Sequence, residues 1–134
     1  MSSPNLSGLE RFAFEPHRIE KPWGHELVWA LAEQYVGKLL AVTAGQRLSL
    51  QFHKEKDESW YLLEGRAELE FAGPGEKATA SEVVTPGAAF RIKPGTVHRI
   101  TALEDVLMLE VSTPHLDDVV RLEDQYGRAP DDHQ

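Results

Sequence analysis

"LSLQFHKEKDESWYLLEG" runs from Leu48 to Gly65 and reads as a strand, a charged break and a second strand closed by glycine. Successive side chains of a strand point to opposite faces. Arg47, Ser49, Gln51 and His53 are therefore expected on one face, and Leu48, Leu50 and Phe52 on the other. After the break, Glu58, Trp60 and Leu62 share a face opposite Ser59, Tyr61 and Leu63. Large apolar groups then lie on both sides of the second strand. If the Gln/His/Glu face looks into a barrel, Leu48, Leu50, Phe52, Tyr61 and Leu63 need cover from another element or a second subunit, and a homodimer is expected.

Outward from this stretch, further short strands are expected at Tyr35–Thr43, Ala67–Phe71, Ala78–Val84, Ala88–Ile92, His98–Ala102 and Val106–Ser112, with Arg47–His53 and Glu58–Leu63 as the central pair. Turn chemistry separates them: "AGQ" at Ala44–Gln46, "EGR" at Glu64–Arg66, "AGPGEK" at Ala72–Lys77, "TPGA" at Thr85–Ala88 and "KPGT" at Lys93–Thr96. Eight short strands at regular spacing imply an all-β antiparallel sandwich or barrel, and a jelly roll suits this length. Gly24–Gln34 and Leu116–Gln125 are the two places where a helical turn is expected. Residues 1–20 read as an N-terminal arm, 21–115 as the barrel, and 116–134 as a C-terminal segment with an acidic tail.

The chain has 134 residues, enough for one domain, and 41% of them are apolar. Its formal charge of -8 disfavours nucleic acid and anionic membranes as partners. No cysteine is present, so disulfides and thiolate metal sites are excluded. The N-terminus lacks a basic region followed by an apolar run, and no stretch approaches the ~18 apolar residues of a membrane span. A soluble, cytoplasmic protein is the expectation.

His53 follows Gln51 by two residues and precedes Glu58 by five, while "KPGTVH" brings His98 to the start of a later strand. These four nitrogen and oxygen donors could converge inside a barrel and would suit Zn, Fe, Mn, Ni or Co. Taken singly, each reads as a solvated strand or loop residue. Burying the polar row together would be costly without a partner that satisfies it. Trp23 and Gly24 read as a packing anchor in preference to a sugar platform, and His17, His25 and His115 as surface or turn residues.

Gly45, Gln51, His53, Glu58 and Gly65 resemble the first motif of the cupin superfamily, with Gln51 in place of its first histidine. Gly87 to His98 is similar to the second, with Pro94 one place late and Ala102 where asparagine is usual. Within the cupins, "KPWGHELVWA" (Lys21–Ala30), "AGQRLSLQFH" (Ala44–His53), "PGTVHRI" (Pro94–Ile100), "LEVSTP" (Leu109–Pro114) and "DDVVRLEDQYGR" (Asp117–Arg128) resemble the type II mannose-6-phosphate isomerase domain. That domain is often fused to a sugar-nucleotide pyrophosphorylase. No Gly-rich nucleotide loop occurs in these 134 residues, so a stand-alone form is expected. Fused isomerase domains tend to read "HHHRAEHW" where this chain has "HKEKDESW", His53 to Trp60.

The resemblance implies Gln51, His53, Glu58 and His98 as ligands of one divalent metal ion, Zn first, with Mn, Fe, Co and Ni as alternatives. It implies an aldose–ketose isomerase acting on a sugar or sugar phosphate. Such a reaction needs one base near two adjacent carbons, for which Lys54, Lys56 and Glu123 are the candidates. Arg47, Arg99 and Arg121 are the candidate donors to phosphate or sugar hydroxyls. Another metal-dependent reaction (epimerase, lyase or dioxygenase) and a non-catalytic sugar-binding cupin are the alternatives.

Overall fold

The computed structural model describes residues 7–76 and 79–129. A 3-10 turn at Ser7–Glu10 precedes eleven strands: β1 (His17–Lys21), β2 (Gly24–Leu31), β3 (Val36–Val42), β4 (Leu50–Phe52), β5 (Glu58–Glu64), β6 (Ala67–Ala72), β7 (Ala80–Val84), β8 (Ala89–Ile92), β9 (Val97–Ala102), β10 (Val106–Ser112) and β11 (Val120–Glu123). They form two antiparallel sheets, ordered β1-β2-β3-β10-β5-β8 and β11-β4-β9-β6-β7. The all-β jelly roll expected from the turn spacing is present. The expected strand Ala78–Val84 begins at Ala80, and its position 78 lies outside the described residues. The tail from 130 onward also lies outside them.

Two segments expected to be helical are strands. In β2 the residues Glu-Leu-Val-Trp-Ala-Leu are fair helix formers, but their burial has period two: Glu26 and Val28 are buried while Trp29 is exposed. Pairing with β3 along seven positions overrides local preference. Val120–Glu123 is likewise extended, because it pairs with β4 at the sheet edge. The arm expected over 1–20 is also partly structured. β1 pairs with β2 from His17↔Val28 to Lys21↔Gly24, and Leu9 is buried against Val28 and Val36.

The interior is apolar at one end and polar at the other. Leu40 and Val42 of β3, Trp60 and Leu62 of β5 and Val106 and Met108 of β10 pack against Leu69 of β6 and Ile100 and Ala102 of β9. Continuing inward-facing positions along the same strands give Lys38, Glu58, Glu110 and His98, all buried. β3, β5, β9 and β10 thus each contribute apolar residues to the core and an ionisable one to the polar end. Gly65 closes the β5–β6 turn at φ +81, and a Cβ there would lie 2.1 Å from the Asp105 carbonyl oxygen, so no larger residue fits.

β4 departs from simple alternation. Gln51 pairs with His98, whereas Arg47 pairs with Thr101, so four steps on one strand oppose three on the other. This extra residue is a bulge, and it reverses which face each earlier side chain takes. Leu48 joins the main core, and Leu50 packs on the other side with Ala72 and Val97. Among the described residues no helix is long and apolar enough to cross a membrane.

Candidate metal centre and cavity

At the polar end, His53, Glu58 and His98 each present one donor atom, all within 4.8 Å of one another. β9 delivers His98, β5 delivers Glu58, and His53 follows the end of β4. Gln51 lies directly across from His98 and faces the same cavity, its Oε1 accepting from the Ser49 hydroxyl at 2.9 Å.

The hydrogen bonds fix the state of each donor. His53 Nδ1 donates to the Asp118 carbonyl and His98 Nδ1 to the Thr96 carbonyl at 2.9 Å. A carbonyl only accepts, so a proton sits on Nδ1 of both rings and each turns its Nε2 toward Glu58. His53 Nε2 is 2.7 Å and His98 Nε2 3.9 Å from Glu58 Oε2. Glu58 Oε1 accepts from Trp60 Nε1 at 2.6 Å, which leaves Oε2 for the histidines. His53 Nε2, His98 Nε2 and Glu58 Oε2 are all buried without an aligned hydrogen-bond partner. Three converging side-chain atoms of ligating type, buried without an aligned hydrogen-bond partner, are the surroundings a cation fits.

The electrostatics agree. Burial pulls His98 down to about 4, which keeps it neutral and able to ligate. Burial opposes ionisation of Glu58, but the His53 contact, Lys56 and His98 outweigh it and hold the carboxyl below its usual range. Lys56 is buried, 3.2 Å from Glu110 Oε2 and 3.8 Å from Glu58 Oε2. Burial disfavours its charge, yet the two carboxylates prevail and raise it. Burial pushes Glu110 upward. The Trp60 indole also reaches Glu110 Oε1, at 3.2 Å.

A cavity of about 120 Å³ opens beside these groups. Of the candidates named from the sequence, Gln51, His53, Lys56, Glu58 and Arg121 line it. Four other candidates lie elsewhere. The bulge puts Arg47 on the side of Thr101, outside the barrel. Arg99 alternates away from His98 and pairs with Glu70 at 3.1 Å and Glu123 at 3.6 Å on the outer face. Glu123 is thereby engaged outside the cavity, and Lys54 is exposed in the loop before β5. Trp23 is a packing anchor, buried in the core, and it also lines the cavity.

Sequence reasoning missed Glu110, Lys38 and Glu26 on this wall, where Lys38 Nζ lies 3.3 Å from Glu26 Oε1. The available signal was an ionisable residue in the inward register of an otherwise apolar strand, as in Val36-x-Lys38-x-Leu40-x-Val42 and Val106-x-Met108-x-Glu110. Lys21, 3.9 Å from Glu26 Oε1, and Arg128 also line the cavity. Asp124 holds Arg128 at 2.6 and 3.1 Å, while Arg121 Nε is buried without a partner.

The model of the family described as "Mannose-6-phosphate isomerase C-terminal" matches residues 10–124. The chain belongs to this family. Its relatives include the xanthan biosynthesis protein XanB of Xanthomonas campestris pv. campestris, 30% identical over 117 residues, which are 84% of this chain and 24% of that protein. The mannose-1-phosphate guanylyltransferase ManC of Salmonella typhimurium is 31% identical over 117 residues, with the same coverage of 84% and 24%. The chain therefore spans about a quarter of the length of these curated relatives. Among solved structures, the capsular polysaccharide assembling protein CapF of Staphylococcus aureus superposes with a TM-score of 0.68 at 16% identity, covering 86% of this chain and 34% of that one. The likeness is one of fold, and this mannose-6-phosphate isomerase C-terminal domain is a cupin jelly roll.

Proposed function

We propose that this chain is a divalent-metal-dependent isomerase of a sugar or sugar phosphate, with Gln51, His53, Glu58 and His98 as metal ligands. The observation that carries the reading is the set of three buried ligand-type atoms that meet without an aligned hydrogen-bond partner. Each such atom left unmatched costs about 1–3 kcal/mol, and one cation would satisfy all three. Nitrogen and oxygen donors without sulfur favour Zn among the common ions, with Mn, Fe, Co and Ni also compatible.

A bound cation would supply Lewis-acid charge beside a substrate oxygen. Proton movement falls to the chain itself. Isomerisation removes a proton from one carbon and returns it to the adjacent carbon, so a single base must serve both. Glu110 suits this role: it lines the cavity, stands outside the ligand set, and burial raises its carboxyl toward working pH. Lys56, 3.2 Å away, holds positive charge where the substrate oxygen becomes anionic and can donate a proton to it. Arg121, with Lys21 and Arg128 beside it, would bind phosphate or sugar hydroxyls.

The direct test is interconversion of mannose 6-phosphate and fructose 6-phosphate by protein loaded in turn with Zn, Mn, Co and Fe. Turnover is expected, and His53→Ala and His98→Ala should abolish it together with stoichiometric metal. Absence of turnover with every common hexose phosphate at saturating metal would overturn the reading.

We also propose that two copies pair through the outer face of the six-stranded sheet. Leu27, Leu39, Leu109, Tyr61 and Ala89 are consecutive partners across β2, β3, β10, β5 and β8. Exposed Val111, Leu63 and Trp29 extend this apolar patch, which Arg18 of β1 and Arg91 of β8 border on the same face. Five strands at ~4.8 Å and seven residues at ~3.4 Å give a footprint of roughly 570 Å², somewhat under the ~800 Å² a side of a standard interface.

A further inference from the structure

Asp118 touches four consecutive residues of the loop that joins two of the proposed ligands. Its carbonyl accepts from His53 Nδ1. Its carboxylate accepts backbone N–H groups of Lys54 at 3.0 Å, Glu55 at 2.7 Å and Lys56 at 2.9 Å. The loop runs from His53 to Glu58, and its turn therefore closes around one side chain that is 62 to 64 residues away in sequence.

The two contacts have separate consequences. The carbonyl fixes the His53 ring through Nδ1, so that Nε2 is the nitrogen aimed at Glu58. The carboxylate fixes the backbone that projects Lys56 between Glu58 and Glu110. Asp118 also belongs to the segment 113–119, whose Leu116 and Val119 line the cavity. Thr113 anchors the start of that segment, its N–H donating to the Asp57 carbonyl at 3.0 Å while its hydroxyl accepts from Asp57 N–H at 3.1 Å.

We propose that Asp118 is the positioning residue of the centre: it locks the His53–Lys56 loop so that His53 and Lys56 face the cavity, and it ties the 113–119 segment over that cavity to the same loop. The inference rests on reading His53, Glu58 and His98 as a metal centre.

The test compares Asp118→Ala and Asp118→Asn with Asp105→Ala. Asp105 Oδ1 accepts Ala44 N–H at 2.8 Å and so clamps a different loop. Zinc affinity is measured by chelator competition, and amide hydrogen exchange of Lys54–Lys56 is followed in metal-free protein. Both Asp118 variants should lose roughly tenfold to a hundredfold in zinc affinity, with faster exchange at the three amides. The Co(II)-loaded variants should show an altered visible spectrum. Asp105→Ala should keep zinc affinity within about twofold. Unchanged affinity in both Asp118 variants, or an equal loss in Asp105→Ala, would overturn the role of Asp118. Failure of the unaltered protein to bind any metal would instead sink the centre, a result distinguishable from the first. Should Asp118→Ala fail to fold, Asp118→Asn carries the comparison, because its Nδ2 group cannot accept the amides that Oδ2 accepts now.

Discussion

Trp60 sits where the apolar and polar halves of the interior meet. Its ring packs edge-on against Phe90 at 5.7 Å and His98 at 5.5 Å, and its indole N–H is shared between Glu58 Oε1 and Glu110 Oε1. One side chain thus closes the core and directs two carboxylates. Trp60→Phe would preserve most of the packing and remove the only donor shown for those two oxygens. The expected cost is about 1–3 kcal/mol in urea denaturation of metal-free protein. A change below ~0.5 kcal/mol would show that the indole N–H does not restrain the carboxylates. At this scale the sequence brought Gln51, His53 and Glu58 to notice through their local spacing, and His98 through the Lys93–Thr96 turn that precedes it. Glu110 was missed although it continues the inward register of Val106 and Met108, because that register was read only for its apolar members.

β11 and the turn after it show how a short edge element serves the cavity wall. Arg121, Gln51 and His98 are consecutive partners across β11, β4 and β9, so their side chains share one face. Asp124 holds the returning chain: it is buried and accepts Arg128 N–H at 2.8 Å as well as the guanidinium. Burial alone would raise this carboxyl, but the Arg128 contacts outweigh it and hold it below the usual range. A carboxyl depressed in the folded state stabilises above its unfolded value, near 3.9, and that contribution is lost as pH falls below it. Thermal melts should therefore show stability falling below about pH 4. Asp124→Asn should be less stable at pH 7, by roughly 1–3 kcal/mol, with a shallower acid slope. An unchanged slope would assign the acid sensitivity to other carboxylates. Asp118, held at about 2 because three backbone N–H groups outweigh the opposing effect of burial, is the first alternative.

For the whole molecule, the outer face of the six-stranded sheet carries a prediction about assembly. Light scattering at micromolar concentration is expected to give a dimer, and Tyr61→Glu, which places two like charges across the proposed interface, should give a monomer. A monomeric unaltered protein would remove the pairing. Tyr61 and Leu63 were suspected of needing cover from alternation alone, and they are exposed at 45% and 39%. Leu48, suspected on the same grounds, needs no partner, because the bulge turns it into the core.

The all-β class, the turn positions, the Gln51–His53–Glu58 spacing and the family were legible in the sequence itself, since each depends on residues close together in the chain: glycine at φ +81 in the β5–β6 turn, period-two burial, and polar groups two and five residues apart; three of the eleven strands, β1, β2 and β11, were not. Tertiary structure alone decided which side of the wall each residue faces. Arg47 moved outward because pairing with β9 accommodates one extra residue in β4. The β2 and β11 segments became strands because neighbours distant in sequence supplied their hydrogen bonds. The Lys56–Glu110 pair, the cluster of Lys21, Arg121 and Arg128 at the cavity and the Asp118 clamp arise the same way, from contacts whose partners lie tens of residues apart and whose geometry no local pattern encodes.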